Sequence, residues 1–264
     1  MLPIDLQGRI GFITGAARGI GRACAEALAH AGADVAIADL SQADADATAA
    51  EIAAAHGVRA RGFACDVRDA NAVRAAVDAA ADAFGGLDLL VNNAGVQHIA
   101  PFGEFPDDKW ELVRGVDLDG VWHATRAVWK HLVARGGGRI INVASVHGLV
   151  ASMYKAAYIT SKHGVVGLTR AAAVEGAEFN ILVNAICPGA VMTDLVRNQA
   201  AGLAAGYGGI SEDAALERAF LEAMPTRRFI DVEEVGALCA FLCSDYARSI
   251  TGAPISIDGG WAAH

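Results

Sequence analysis

Short runs rich in Val, Ile and Leu alternate along the chain with long Ala-rich stretches, a rhythm that few folds accommodate. RIGFIT precedes a helical stretch from about Gly19 to Ala31, DVAIAD one through about His56, and RARGFACD one to about Phe84. The second half continues with LDLLVNN, a helix from about Asp107 to Ala134, GRIINVAS, a helix from about Ser152 to Ala177, ILVNAIC and a closing strand PISID. The strand-like runs show little polar alternation, which fits strands covered on both faces. Right-handed crossovers then give a single α/β domain over residues 1–264, a doubly wound parallel sheet with helices on both faces. Ligands of such sheets bind beyond the carboxyl ends of the strands.

Composition excludes several classes of function. No apolar run approaches the roughly 18 to 20 residues of a membrane span, and MLPIDLQGRIGFITG has no secretory signal pattern. The cysteines Cys24, Cys65, Cys187, Cys239 and Cys243 are scattered, which favours reduced thiols in a cytoplasmic protein over disulfides or a zinc site. A formal charge of −9 argues against nucleic acid as a partner, because phosphate binding relies on clustered Lys and Arg.

Directly after the first strand, Thr14-Gly15-Ala16-Ala17-Arg18-Gly19-Ile20-Gly21 opens a helix. Glycines let backbone approach a pyrophosphate, and a helix N-terminus offers unpaired N–H groups and a partial positive charge. Thr14, Gly15, Arg18, Gly19, Ile20 and Gly21 are therefore candidate cofactor residues. Asp39 ends the second strand, where a carboxylate accepts hydrogen bonds from ribose hydroxyls and repels a 2′-phosphate. No Lys or Arg follows it in ADLSQADADA, so NAD is expected over NADP.

TGAARGIG, Cys65-Asp66-Val67, the NNAG of Asn92 to Gly95, Ser145, and Tyr158 with Lys162 together resemble the short-chain dehydrogenase/reductase family, over essentially the whole chain. The resemblance implies a Rossmann-type fold, with Asp66 and Val67 holding adenine and Asn93, Ala94 and Gly95 bordering the cofactor. Pro188, Gly189, Val191 and Thr193 would lie beside the nicotinamide. It also implies a homo-oligomer, generally a tetramer, and the apolar helices around Val121 to Val128 and Val165 to Val174 would serve as subunit faces if buried between protomers.

Oxidising a secondary alcohol requires a base for the hydroxyl proton. Tyr158 and Lys162, four residues apart in a helix, share a face, so the ammonium can favour the phenolate. Ser145, at the end of GRIINVAS, can hydrogen-bond the substrate oxygen. Where the family commonly has Asn in a V-N-L pattern, helping to hold a proton-relay water, this chain has Val116-Asp117-Leu118. Asp117 is then either an ionisable substitute or the mark of an altered relay.

VQHIAPFGEFPDDKW, ASVHGLVAS, YKAAYITSKHGVVGLT and DGGW carry a narrower resemblance, to bacterial D-3-hydroxybutyrate dehydrogenases. It implies that Gln97, His147, Lys155 and Gln199 gather around the carboxylate of a small anionic substrate, with Trp261 closing the pocket. Chemistry agrees, because an anion in a dry pocket needs a cation and several donors, and Lys155 precedes Tyr158 by three residues. Ala190 stands where those enzymes typically have Trp, and Tyr154 where they have a small residue. A bulkier 3-hydroxy acid or other secondary alcohol as substrate, a 3-oxoacyl reductase activity and a nucleotide-binding scaffold without turnover stay as alternatives. The Gly-rich stretch from Gly202 to Gly209 reads as the hinge of a mobile lid over about residues 190–225.

Overall fold

The computed structural model describes residues 3–198 and 200–263. Seven strands form one sheet in the order β3-β2-β1-β4-β5-β6-β7, and every pair is parallel. They are β1 (Ile10–Thr14), β2 (Asp34–Asp39), β3 (Ala60–Ala64), β4 (Leu89–Asn92), β5 (Gly138–Val143), β6 (Ile181–Pro188) and β7 (Pro254–Ile257). Between them run α1 (Gly19–His30), α2 (Gln42–His56), α3 (Ala70–Phe84), α4 (Asp107–Arg114), α5 (Gly120–Ala134) and α6 (Ala156–Gly176).

Both faces of the sheet are buried along its central strands β1, β4, β5 and β6, which is why these read as largely apolar runs, while the edge strands β3 and β7 are partly exposed. Ile13, Leu89, Val91 and Ile141 enter one core, while their neighbours Phe12, Leu90 and Ile140 enter the core on the opposite face. Chain order reverses across β1, flanked by β2 on one side and β4 on the other. The crevice of such a sheet opens beyond the carboxyl ends at this switch.

The chain departs from expectation in four places. First, α6 begins at Ala156 and not near Ser152, because Tyr154 turns the backbone to a φ of 69°, outside the right-handed helical region. Second, α7 (Asp194–Arg197), α8 (Ala200–Gly206) and α9 (Glu212–Leu216) follow β6, so the supposed hinge glycines are partly helical. The positive φ values of this stretch fall at Gly208 and Gly209.

Third, α10 (Val232–Cys243) carries a capping box between Asp231 and Glu234. Asp-x-x-Glu before an apolar run is a readable helix start, and sequence reading passed over it. Fourth, Val121, Val128 and Val165 are buried within the protomer, where they pack in its core, so any subunit face on their helices is left to other residues. On those helices Trp122, Val133 and Val174 are the large apolar residues left exposed.

Among the described residues no helix is long and apolar enough to cross a membrane. All five cysteines are free and buried.

Candidate active site

A cleft of ≈ 460 Å³ is lined by the segments that leave β1 through β6. At one end the β1–α1 turn is held by an interlocking set of bonds. Thr14 Oγ1 accepts from the Asn93 and Ala94 amides at 3.0 and 3.2 Å. Asn93 Nδ2 donates to the carbonyls of Thr14 and Gly15 at 3.1 and 2.9 Å.

Gly15 has a φ of +61°, and a Cβ there would lie 2.8 Å from Ala94 Cα. A Cβ on Gly21 would collide with Asn93 Nδ2 and the Gly15 carbonyl. Thr14 and Gly21 thus brace the turn without lining the cleft, whereas Gly15, Arg18, Gly19 and Ile20 line it. No side chain caps the start of α1 and no acidic residue sits in its first turn. These free N–H groups fit a diphosphate.

Asp39 ends β2, where its carboxylate accepts from the amides of Ala17 and Leu40 at 3.0 and 2.8 Å. Leu40, exposed beside it, adds an apolar wall. Asp66 lines the cleft too, but its carboxylate is engaged by the Arg68 guanidinium at 2.6 to 3.1 Å, which lowers its pKa. The Val67 carbonyl accepts from His123 Nδ1 at 2.9 Å, pinning this wall to α5.

At the opposite end Ser145 follows β5 and Tyr158 and Lys162 lie on α6. The Ser145 hydroxyl is near enough to Tyr158 to pull its pKa down and accepts from the His147 amide at 3.1 Å. Lys162 Nζ donates to the Val143 carbonyl at 3.1 Å and lies 5.4 Å from the Tyr158 ring centre. It also stands 3.2 Å from Asp117 Oδ2.

Asp117 is fully buried, on a widened five-residue π-turn (Gly115–Asp119) between α4 and α5. Its Oδ1 accepts from the Val96 amide at 2.8 Å. Both neighbours of the carboxylate are donors, which is the environment of an anion. The net direction of its pKa is nonetheless upward, because burial outweighs Lys162 and the Val96 amide, which both favour the anion.

Sequence reasoning expected Lys162 to bring Tyr158 down. The net direction is upward, because burial dominates and Asp117 adds to it, with Lys162 and Ser145 opposing. Burial works against the Lys162 ammonium, yet Asp117 and Tyr158 raise its pKa overall.

Pro188, Gly189, Val191 and Thr193 line the cleft between these ends. Gly189 packs against Asp258, where a Cβ would lie 2.9 Å from Asp258 Cα, and Val191 bridges Ile230.

On the far side of Tyr158, Lys155 Nζ is 3.4 Å from His147 Nε2 and 5.3 Å from the Phe220 ring centre. Burial pushes Lys155 down to about 8. Burial and then the Lys155 charge push His147 down to about 4, so His147 is neutral at pH 7. Its ring meets Trp261 edge-on at 5.3 Å between centroids, and Gln97 lines the same space.

Gln199 lies outside the described residues. Tyr154 does not shape this pocket: 52% exposed, it lines a separate surface depression with Phe102 and Met153. Ala190 does line the cleft. Leu40, Arg68 and Phe220 went unread, since no motif marks them.

Comparison with known proteins adds three kinds of likeness. A family model described as Enoyl-(Acyl carrier protein) reductase matches residues 15–262. The D-beta-hydroxybutyrate dehydrogenase of Cupriavidus necator is 42% identical over 98% of this chain and 99% of the relative. The D-threitol dehydrogenase of Mycolicibacterium smegmatis is 40% identical over 97% of this chain and 94% of its own. A crystal structure of a short-chain type dehydrogenase/reductase from Mycobacterium marinum superposes with a TM-score of 0.89 at 33% identity, covering 99% of this chain and 98% of that one.

Proposed function

The chain belongs to the short-chain dehydrogenase/reductase family, and from that premise we propose that it interconverts (R)-3-hydroxybutyrate and acetoacetate with NAD. One observation carries the substrate assignment. Lys155 is a largely desolvated cation within reach of His147, and among the described residues no carboxylate pairs with it. A charge held out of water invites an anionic partner, and a substrate carboxylate fits. The likeness to the Cupriavidus necator enzyme supports the same reading.

In this mechanism Ser145 holds the substrate oxygen and Tyr158 takes its hydroxyl proton. Lys162 offsets the charge that develops on Tyr158 and binds the cofactor ribose. Gly15, Arg18, Gly19 and Ile20 would hold the diphosphate, and Asp39 would accept from the ribose hydroxyls. Asp66 and Val67 would hold the adenine, Asn93 to Gly95 would border the cofactor, and Pro188 to Thr193 would lie beside the nicotinamide. When bound, NAD supplies the hydride acceptor. Lys155, with His147, Gln97 and Gln199, holds the carboxylate, while Trp261 and a lid over about residues 190–225 exclude water. Exposed Trp122 and Val174 support a homo-oligomer through α5 and α6.

Ala190 favours a second reading, a 3-hydroxy acid longer than four carbons, because only a methyl group stands at this point of the cleft wall. Initial rates of NADH formation on (R)-3-hydroxybutyrate and its longer homologues, each with NAD and NADP, test both. The leading reading predicts the highest kcat/KM for the four-carbon acid with NAD. Absence of turnover on every 3-hydroxy acid overturns both readings.

A further inference from the structure

The mechanism above leaves Asp117 without a task, although it is a fully buried acid touching the lysine behind the base. An uncompensated carboxylate at such a depth is strongly disfavoured. Two contacts keep it there: the Val96 amide holds Oδ1 at 2.8 Å and the Lys162 ammonium stands 3.2 Å from Oδ2. The second is a charge contact of poor hydrogen-bond geometry, since Oδ2 lacks a well-directed donor and Lys162 aims at the Val143 carbonyl.

We propose that Asp117 is the counter-ion of Lys162, a positioning residue that turns the cation behind Tyr158 into a neutral pair and so sets the pH at which Tyr158 surrenders its proton. This rests on the reading of Tyr158 as the base. A lone ammonium would stabilise the phenolate strongly; one already matched by a carboxylate does so less. The two groups act in opposite directions on Tyr158, Lys162 downward and Asp117 upward. The enzyme therefore oxidises alcohols best at higher pH than it would with an amide at this position.

Other groups face the trio. Cys187 approaches from β6, but burial holds its thiol up at about 11, so it is neutral. Lys155 and neutral His147 lie on the substrate side. On the π-turn, Asp119 is paired with Arg114, and Arg68, packed on Gly115, is paired with Asp66. Asp117 thus brings the unshared negative charge nearest Lys162.

Asp117→Asn tests the idea, since its Oδ1 can still accept from Val96 while Nδ2 presents N–H groups to the ammonium. Lys162 then has Tyr158 as its remaining anionic partner. The acid limb of log kcat/KM against pH for alcohol oxidation should move down by about one unit, on the order of tenfold in rate below the limb. Lys155 titrates in both proteins and cancels in the comparison.

A second measurement needs no turnover: phenolate absorbance at 295 nm is titrated in the wild-type and Asp117→Asn backgrounds, each with Tyr158→Phe subtracted. Tyr158 should ionise at lower pH in the Asp117→Asn protein. An unmoved or upward-moved Tyr158 titration overturns the counter-ion role even if the dehydrogenase reading stands. Should the wild type oxidise no alcohol, that reading fails while the phenolate titration still decides the role of Asp117.

Discussion

The two ends of the cleft are made of different material. At the end proposed for the diphosphate the surface is largely backbone: the turn from Gly15 to Ile20 and the open amides of α1, braced from behind by Thr14 and Asn93. At the end proposed for the substrate it is side chains from separated segments, with Lys155 before α6, His147 after β5, Phe220 after α9 and Trp261 near the C-terminus. A backbone surface recognises a group common to many ligands and tolerates little change. A side-chain surface is re-specified one residue at a time. The difference explains how relatives at 42% and 40% identity can bear the names of a hydroxybutyrate and a threitol dehydrogenase.

Three substitutions probe that contrast. The largest effect is expected at the side-chain end: Tyr158→Phe removes the proposed base at little change in volume, so turnover should fall by about 10² to 10⁴ while NADH still binds. Single-turnover absorbance at 340 nm with a separate fluorescence titration of NADH checks both halves. Near-normal turnover would remove Tyr158 from the mechanism.

Next, Gly21→Ala puts a methyl group against Asn93 Nδ2 and the Gly15 carbonyl, and overpacking of this kind costs about 1 to 3 kcal/mol. Thermal unfolding should show the loss, and NAD affinity should drop with it. A variant as stable and as tight for NAD as the parent would mean that the turn is not held by close packing.

Smallest is Asp39→Ala. Wild type should prefer NAD over NADP by at least about tenfold in kcat/KM, about 1.4 kcal/mol, and the variant should narrow that gap. Equal use of both cofactors by the wild type would refute the ribose role of Asp39.

The same contrast governs what the sequence could reveal. Sheet and glycine turn were legible because each depends on local order: apolar runs for the central strands β1, β4, β5 and β6, and glycines at fixed offsets between a strand and a helix. Ser145, Tyr158 and Lys162 were legible once a resemblance supplied their roles, and the fold does place them around one space. Phe220 was not, because a phenylalanine on an amphipathic stretch looks like core until its neighbour across the cleft, Lys155, is known.

Nor was the Asp117–Lys162 pair, whose members are 45 positions apart and meet only when the π-turn packs on α6. Tyr154 misled for the opposite reason. Its ring lines the surface depression that Met153 also lines, away from the cleft that the next residue, Lys155, lines.

Whether the substrate end reads a carboxylate is decided most directly by comparing (R)-3-hydroxybutyrate with its uncharged methyl ester in wild type and Lys155→Ala. The variant should lose about 2 to 5 kcal/mol of transition-state stabilisation for the acid, the range for breaking a desolvated charge pair, and far less for the ester. Because burial brings Lys155 to about 8, its charge is present below that pH and lost above it. The wild-type kcat/KM for the acid should therefore fall relative to the ester as pH rises through about 8. Equal losses on acid and ester would show that Lys155 serves Tyr158 or the fold and would contradict the hydroxy-acid assignment.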